Sequence, residues 1–554
     1  MLNAELPRSW LRPLVFYAVV CCLALVIGLT VAGCTVSGAA VGPEQSWQAS
    51  AADTRKVPKS DPGSTLKMGW QQGAFIEIFV RGFKDSDGDG VGDLQGLTQS
   101  LGYLKDLGVR GIWLMPITRS ADRDHGYATT DFRSIEPDYG TLSDFDEFIA
   151  QAHAHGIGVI MDYVVNHSAA THPLFVSSRS GVNARFRDWY VWQDPAPLDW
   201  DIWGKNPWHH TQHGSYFATF GLHMPDFNLR NQEVVAFHED NLRFWLNRGL
   251  DGFRLDAMTH LIENDAQAWN DQPESRQLTN QLRGIINGYA NRHVVCEATA
   301  NPQVYADPEV CGSAFAFGHA RNIVNAAKGQ PDAIRAVANY FTMAPSTMAT
   351  MVSNHDIFAG ERLSDQVVGN AAEQKLAAAT YLLQPGTPFI YYGEEIGMGG
   401  VSTLLGDAQL RSPMSWTGEK TTGGFTSGKP FRPVSPNVST NSVASQRSDP
   451  NSILAFYTDM LKLRNALPSL AMGSYEHAFT QGQCMGYQRK LLSEKTLVLI
   501  NFGSSEAGIL VERLETEGAW DQVFPADPFR LAVSDAGTAE MRLPPQSVRV
   551  FLHR

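Results

Sequence analysis

From residue 74 onward, short apolar runs alternate with amphipathic stretches. The apolar runs lie at 74–80, 111–115, 157–162, 252–255, 293–296, 348–353 and 388–392, with a weaker one near 311–317. Such runs predict buried strands. Between them, segments such as 97–107, 143–155, 234–248 and 374–383 repeat their apolar residues at helical spacing. Eight strands alternating with helices over about 330 residues predict an α/β fold of the (β/α)8 barrel type. A doubly wound parallel sheet shares the alternation, but no Gly-rich phosphate loop follows the first run.

The stretch 168–228, between the third and fourth strands, is too long for a connecting loop and predicts an inserted subdomain. It holds Trp189, Trp192, Trp200, Trp203, Trp208, His209 and His210. Aromatic rings can stack on the C–H face of a pyranose, although packing accounts for most rings of this kind. After Leu470 the helical period stops, and alternating segments at 496–501 and 548–552 predict a C-terminal all-β domain. The expected plan is therefore a barrel over 67–470, an insert at 168–228, and a β-sandwich over 471–554.

The N-terminus follows a different pattern. Arg8 and Arg12 precede an apolar run from Leu14 to Val31, and Val31-Ala32-Gly33-Cys34 follows. A basic start, an apolar middle and small residues before a cut site predict an export signal over 1–33. A retained membrane anchor is the alternative for a run this long. The last four residues resemble a bacterial lipobox, which implies cleavage before Cys34 and lipidation of that cysteine. Residues 34–66, rich in Ala, Ser, Gly and Pro, predict a flexible tether. The chain is thus expected to be an exported lipoprotein, membrane-anchored and facing the periplasm or cell exterior.

Composition narrows the functional classes. Of 554 residues, 43% are hydrophobic and 18% charged, enough for a large core and too apolar for wholesale disorder. A net charge of −13 argues against a nucleic-acid partner, which would need a basic face. No protein partner is inferred. Beyond the signal and Cys34, only Cys296, Cys311 and Cys484 remain, so at most one internal disulfide forms and its pairing stays open.

In a barrel, reacting groups sit at the C-terminal ends of the strands. Those ends carry Asp162-Tyr163-Val164-Val165-Asn166-His167, Gly252-Phe253-Arg254-Leu255-Asp256, Cys296-Glu297 and Ser353-Asn354-His355-Asp356. Any one of these could be a surface acid or a core ion pair, but four, each at a candidate strand end, point to a site. Together these blocks resemble those of the α-amylase family of glycoside hydrolases. GIWLMPI at 111–117, HGYATTDF at 125–132, MPDFN at 224–228, PFIYYGEEIGM at 388–398 and RSPMSW at 411–416 extend the resemblance over residues 70–554.

The resemblance implies that Asp256 is the nucleophile, Glu297 the acid/base and Asp356 the transition-state stabiliser. It further implies that His167 and His355 bond sugar hydroxyls, and that Tyr127 lies under the sugar ring beside His125 and Asp124. His260 is retained and is placed, with Arg254, among the substrate-binding residues, but Thr259 stands where many members of the family have Lys. Arg254 is two residues before Asp256, hence on the same strand face, and is expected to hold the nucleophile's pKa down.

Asp85-Ser86-Asp87-Gly88-Asp89-Gly90-Val91-Gly92-Asp93 alternates carboxylates in a way that suits Ca2+, although Gly96 stands where an EF-hand has its bidentate Glu. The resemblance implies calcium held by Asp85, Asp87, Asp89, the Val91 carbonyl and Asp93, and makes Asn166 a ligand at another family calcium site. The MPDFN block resembles that of enzymes intermediate between oligo-1,6-glucosidases and neopullulanases. The expected activity is retaining hydrolysis of α-1,4 bonds in starch-derived glucans and malto-oligosaccharides, α-amylase-like and endo-acting. An α-glucosidase or glucanotransferase shares the donor chemistry. A non-catalytic relative would lack part of the Asp256, Glu297, Asp356 set.

Overall fold

The computed structural model describes residues 52–553. The expected signal segment and Cys34 lie outside the described residues. Eight parallel strands close into a barrel in chain order: β1 (Phe75–Ile78), β2 (Gly111–Leu114), β3 (Gly158–Val164), β4 (Gly252–Asp256), β5 (His293–Cys296), β6 (Ala314–Phe315), β7 (Met348–Thr350) and β8 (Thr387–Tyr391). β8 pairs with β1 to complete the ring. The predicted (β/α)8 fold is the observed one, although the weak sixth strand shrinks to two residues.

Period-two alternation sorts each strand into two faces. Ile76, Ile78, Ile112, Leu114, Val159 and Met161 point outward into a large core shared with the helices. Phe75, Trp113, Ile160, Val295, Phe315, Ala349 and Phe389 point inward and fill the barrel, with Trp70 below them. Two glycines make that filling possible. A Cβ on Gly111 would lie 2.3 Å from the Phe75 ring, and one on Gly158 would lie 2.3 Å from the Trp70 ring.

The surrounding helices start where side chains cap free backbone N–H groups. Thr141 and Asp144 form a capping box at Leu142–Ala154, and Asn231 caps Gln232–Asn247. The helix expected over 97–107 is two helices, Leu94–Gln99 and Leu101–Leu107, meeting at Ser100. The insert after β3 contains a three-stranded antiparallel sheet with Gly214–Phe217 between Trp192–Gln193 and Trp208–Thr211.

From Ser474 the chain forms a six-stranded antiparallel sheet and a two-stranded ribbon. Leu497, Leu499, Trp520 and Phe551 face the ribbon's Ile509, Val511, Met541 and Leu543. Val498, Ile500, Val550 and Leu552 face the barrel's helical layer. Two buried arginines, Arg489 of the sheet and Arg464 of helix Ile453–Ala466, converge on the C-terminus of helix Ala371–Leu383. Arg489 donates to the Leu383 carbonyl at 3.0 Å, and Arg464 to the Leu382 and Gln384 carbonyls at 2.9 and 3.0 Å. Cations there satisfy carbonyls that the helix itself leaves open.

Residues 52–66, the described end of the expected flexible tether, lie along the barrel instead. Val57 N donates to Asp240 at 3.1 Å, Ser60 N to Asn247 at 2.8 Å, and Ala290 N donates to Asp61 at 2.9 Å. The segment has little apolar surface to bury. It is held through backbone and short polar groups, which composition does not register.

Candidate active site

The same parity that fills the barrel builds the site. Along β1, β3 and β5, the inward position two residues beyond an inward apolar side chain, toward the C-terminal end, is a carboxylate. Phe75 is followed by Glu77 in β1, Ile160 by Asp162 in β3, and Val295 by Glu297 just past β5, while β4 presents Arg254 and then Asp256. All five are buried.

Arg254 is at their centre, 1% exposed. Its Nη1 donates to Asp162 Oδ1 at 2.8 Å and to Asp256 Oδ1, and its Nη2 pairs with Glu297 Oε2 at 2.9 Å. Ala257 follows Asp256 with φ +52°, in the left-handed region, and its N–H donates to Glu297 Oε2 at 3.0 Å. The bonds to Glu297 fall on Oε2 and the bond to Asp256 on Oδ1. Glu297 Oε1 and Asp256 Oδ2 are left for the cleft.

A second charge cluster stands beside the first. His355 Nδ1 pairs with Glu77, and Nε2 lies 2.7 Å from the Tyr127 hydroxyl and 3.1 Å from Asp356 Oδ2. Asp356 Oδ1 meets Arg411 Nη2 at 3.0 Å. Burial works against a charged imidazole, but Asp356 and Glu77 outweigh it and push His355 up to about 10. Burial likewise opposes ionisation of Asp356, yet His355 and Arg411 hold it well below the usual carboxylate range.

These contacts revise two expectations. Burial raises Asp256 well above the ordinary carboxylate range; Arg254 pulls against it, while Glu297 and Asp162 add to it. Arg254 acts in the expected direction, but it is shared among three carboxylates. Asp162 is also pushed up, to about 6, by burial against Arg254 and His355. One guanidinium amid three buried carboxylates favours keeping a proton in the cluster. The second revision concerns Arg254 and His355, expected to touch substrate. Both are buried beneath the cleft, with Arg254 bonded to carboxylates and both His355 nitrogens engaged by protein groups.

Above the cluster opens a cleft of about 630 Å³, lined by His125, Tyr127, His167, Asp256, His260, Glu297 and Asp356 among others. The structure thus gathers seven of the nine residues predicted for catalysis and substrate binding into one wall. His167 is buried with neither ring nitrogen bonded within the protein, and burial lowers it to about 3, so the ring is neutral and free to bond a hydroxyl. His260 stacks on Trp269 at 5.5 Å between centroids, and burial lowers it to about 4. Of the insert's tryptophans, Trp203 reaches the cleft and is 61% exposed. Trp189 is buried, and Trp200 and Trp208 pack on Phe217.

Several functional groups escaped the sequence reading. Asp162 lies in the quoted DYVVNH block and Arg411 in RSPMSW, but neither motif reveals that they bond Arg254 and Asp356. Glu77 carried one signal, a carboxylate inside the apolar run FIEI. Arg411 also reaches Asp124 at 3.5 Å, and Arg432 pairs with Asp124 at 2.9 Å, forming an ionic group beside His125 and Tyr127.

The loop after β1 brings Asp85, Asp87 and Asp89 together, one oxygen of each within 4.8 Å of the others. Burial, then Asp87 and Asp85, raises Asp89. Asp93 accepts from Ser86 N at 2.8 Å and from Gly96 N at 2.7 Å, which caps helix Leu94–Gln99. The donor set is all oxygen and fits a hard cation. Asn166, whose partners the sequence did not identify, lies with Asp226, and Asp226 accepts from Thr219 Oγ1 at 2.6 Å.

The family described as alpha amylase, catalytic domain, matches residues 77–473. The chain is 34% identical over 456 residues to "Alpha-amylase 3" of Dictyoglomus thermophilum, covering 79% of this chain and 86% of that protein. It is 32% identical over 497 residues to a "Probable alpha-glucosidase" of Rhizobium meliloti, covering 79% and 90%. Among solved structures, the alpha-glucosyl transfer enzyme XgtA superposes with a TM-score of 0.76 at 27% identity, covering 88% of this chain and all of that one.

The His355 cluster sets a pH dependence. The imidazole rises from an ordinary value near 6.5 to about 10 on folding. Its contribution to stability is therefore full below pH about 6.5 and is lost as pH rises through about 10. The fall in melting temperature between pH 7 and pH 10 should be shallower in His355→Gln than in wild type. Superimposable pH dependences would show that His355 is not held as a cation.

Proposed function

The chain belongs to the α-amylase family of glycoside hydrolases, and from that premise we propose that it cleaves α-1,4-glucosidic bonds in starch-derived glucans and malto-oligosaccharides with retention of configuration. The observation that carries the reading is the single guanidinium bonded to both Asp256 and Glu297. It supports the side-by-side spacing of a retaining pair, about 5–5.5 Å, over the wider separation that leaves room for water in an inverting pair.

In this mechanism Glu297 Oε1 gives its proton to the glycosidic oxygen while Asp256 Oδ2 attacks the anomeric carbon. The C–O bond to the leaving sugar breaks and a glycosyl ester forms on Asp256. Glu297, now a carboxylate, takes a proton from water, and the hydroxide portion displaces Asp256. Arg254 bonds the other oxygen of each acid and so orients both, while Asp356 meets the positive charge that develops on the sugar ring. His167, His125 and Tyr127 bind the sugar.

A second reading is exo-acting: an α-glucosidase or glucosyl transferase working at chain ends. The pairing of Asp124 with Arg411 and Arg432 beside Tyr127 favours it, because an ionic group at that end of the cleft obstructs a longer chain. Asp256→Asn and Glu297→Gln should each lose at least about a thousandfold in turnover. Products from soluble starch and maltotriose separate the readings. Mixed maltodextrins support internal cleavage, glucose alone supports chain-end hydrolysis, and products longer than the substrate support transfer.

We further propose that Asp85, Asp87, Asp89, the Val91 carbonyl and Asp93 hold calcium. The ion would supply positive charge that draws these carboxylates together and takes no part in bond cleavage. The loop docks on a distant segment through Asp85 N to the Phe425 carbonyl at 3.1 Å and Phe431 N to the Gly90 carbonyl at 2.9 Å. Chelation should therefore lower the melting temperature. No shift, with no metal by elemental analysis, would remove the site.

Export and lipid anchoring through Cys34, with the enzyme facing the periplasm or cell exterior, complete the proposal. The buried Cys296–Cys311 disulfide supports an oxidising destination. A labelled fatty acid should mark wild type but not Cys34→Ser, and equal labelling would exclude the anchor.

A further inference from the structure

Cys296 immediately precedes Glu297, and the structure joins it to Cys311. Both residues are fully buried. Val295 points into the barrel and Cys296 into the outer core, so the disulfide lies on the helix side of the wall, behind the cleft.

It crosses an unusually thin seam. Four register pairs join β5 to β4, from His293 with Gly252 to Cys296 with Leu255. A single pair, Cys296 with Ala314, joins β5 to β6, and β6 has two residues. The ladder therefore holds the end of β5 firmly on one side and weakly on the other, at the residue that precedes Glu297.

The segment between the two cysteines also contributes to the cleft. It carries Glu297 and Thr299, then the short helix Pro302–Tyr305. Its return is pinned by Cys311 N donating to the Tyr305 carbonyl at 3.1 Å and by a long contact, 3.4 Å, from the Tyr305 hydroxyl to the Met258 carbonyl. Closing this segment covalently removes conformations in which the end of β5 swings away from β6.

We propose that the Cys296–Cys311 disulfide is a positioning element for Glu297. By fixing β5 against the weak seam, it keeps Glu297 Oε1 aimed at the departing oxygen while Oε2 stays on Arg254 and Ala257. Neither cysteine touches substrate, and the disulfide undergoes no redox step during turnover. The proposal rests on the reading of Glu297 as the acid/base.

The test compares two leaving groups in the double variant Cys296→Ala/Cys311→Ala, which removes the link without leaving a lone thiol. Maltotriose needs a proton on its departing oxygen. The α-fluoride of glucose or maltose, whichever wild type turns over faster, releases fluoride without one. The double variant should lose at least about tenfold in kcat/KM on maltotriose and less than about twofold on the fluoride. Equal losses on both substrates, or no loss on maltotriose, would overturn the proposal and leave the disulfide a purely structural link.

Glu297→Ala serves as the control for the underlying reading. It must itself lose far more kcat/KM on maltotriose than on the fluoride. Equal losses there would refute Glu297 as the acid, whatever the cysteine variant does. Should the double variant fail to fold, Cys311→Ala, which keeps Cys296 in its strand position, is measured on the same two substrates against the same criteria.

Discussion

The site depends on one buried cation. Arg254 lies inside the barrel and bonds Asp162, Asp256 and Glu297 through its two Nη atoms. Taking a guanidinium and three carboxylates out of water is expensive, and removing one partner would leave the others uncompensated. The rest of the barrel is arranged to hold this group. β3, β4 and β5 pair in consecutive parallel register, so that Asp162 lies opposite Arg254 and Asp256 opposite Val164. The guanidinium then reaches acids on both neighbouring strands.

This sharing changes how the nucleophile is tuned. A private Arg–Asp pair would hold Asp256 low. A guanidinium divided among three acids in a low-dielectric interior does not, and burial sets the direction. Asp356 shows the opposite case. Two cations, His355 and Arg411, pair with it, the first shared with Glu77 and the second with Asp124 and Asp407, and it stays strongly ionised. Two carboxylates facing one cleft thus differ in proton affinity because Asp356 pairs with two cations and Asp256 with one.

The cleft is uneven in character. Near Tyr127 it is bounded by the ionic group of Asp124, Arg411 and Arg432. Elsewhere its lining includes Trp203, Phe220, Ile357 and Phe358, with Phe358 58% exposed. His260, held against Trp269, is neutral, and Thr259 beside it is fully buried. The charged region suits a sugar fixed by many directed bonds. The aromatic surface offers area and little directional constraint. The C-terminal sheet contributes no cleft residue, but through Arg489 it joins Arg464 of helix Ile453–Ala466 in securing the end of helix Ala371–Leu383, which leads directly into β8.

The amino-acid order alone determined the alternation that makes a barrel, the long insert after β3, the all-β C-terminus and the blocks at the strand ends. These are local or periodic signals, and periodicity survives in one dimension. Asp256, Glu297 and Asp356 were legible because each ends or follows an apolar run. What tertiary structure decided was partnership. Glu77 and His355 are far apart in sequence, as are Arg411 and Asp356, and Cys296 could have paired with Cys484 as well as Cys311. The raised proton affinity of Asp256, the burial of Arg254 and His355 and the docking of 52–66 also depend on which groups surround each residue, and no run of neighbouring letters encodes them.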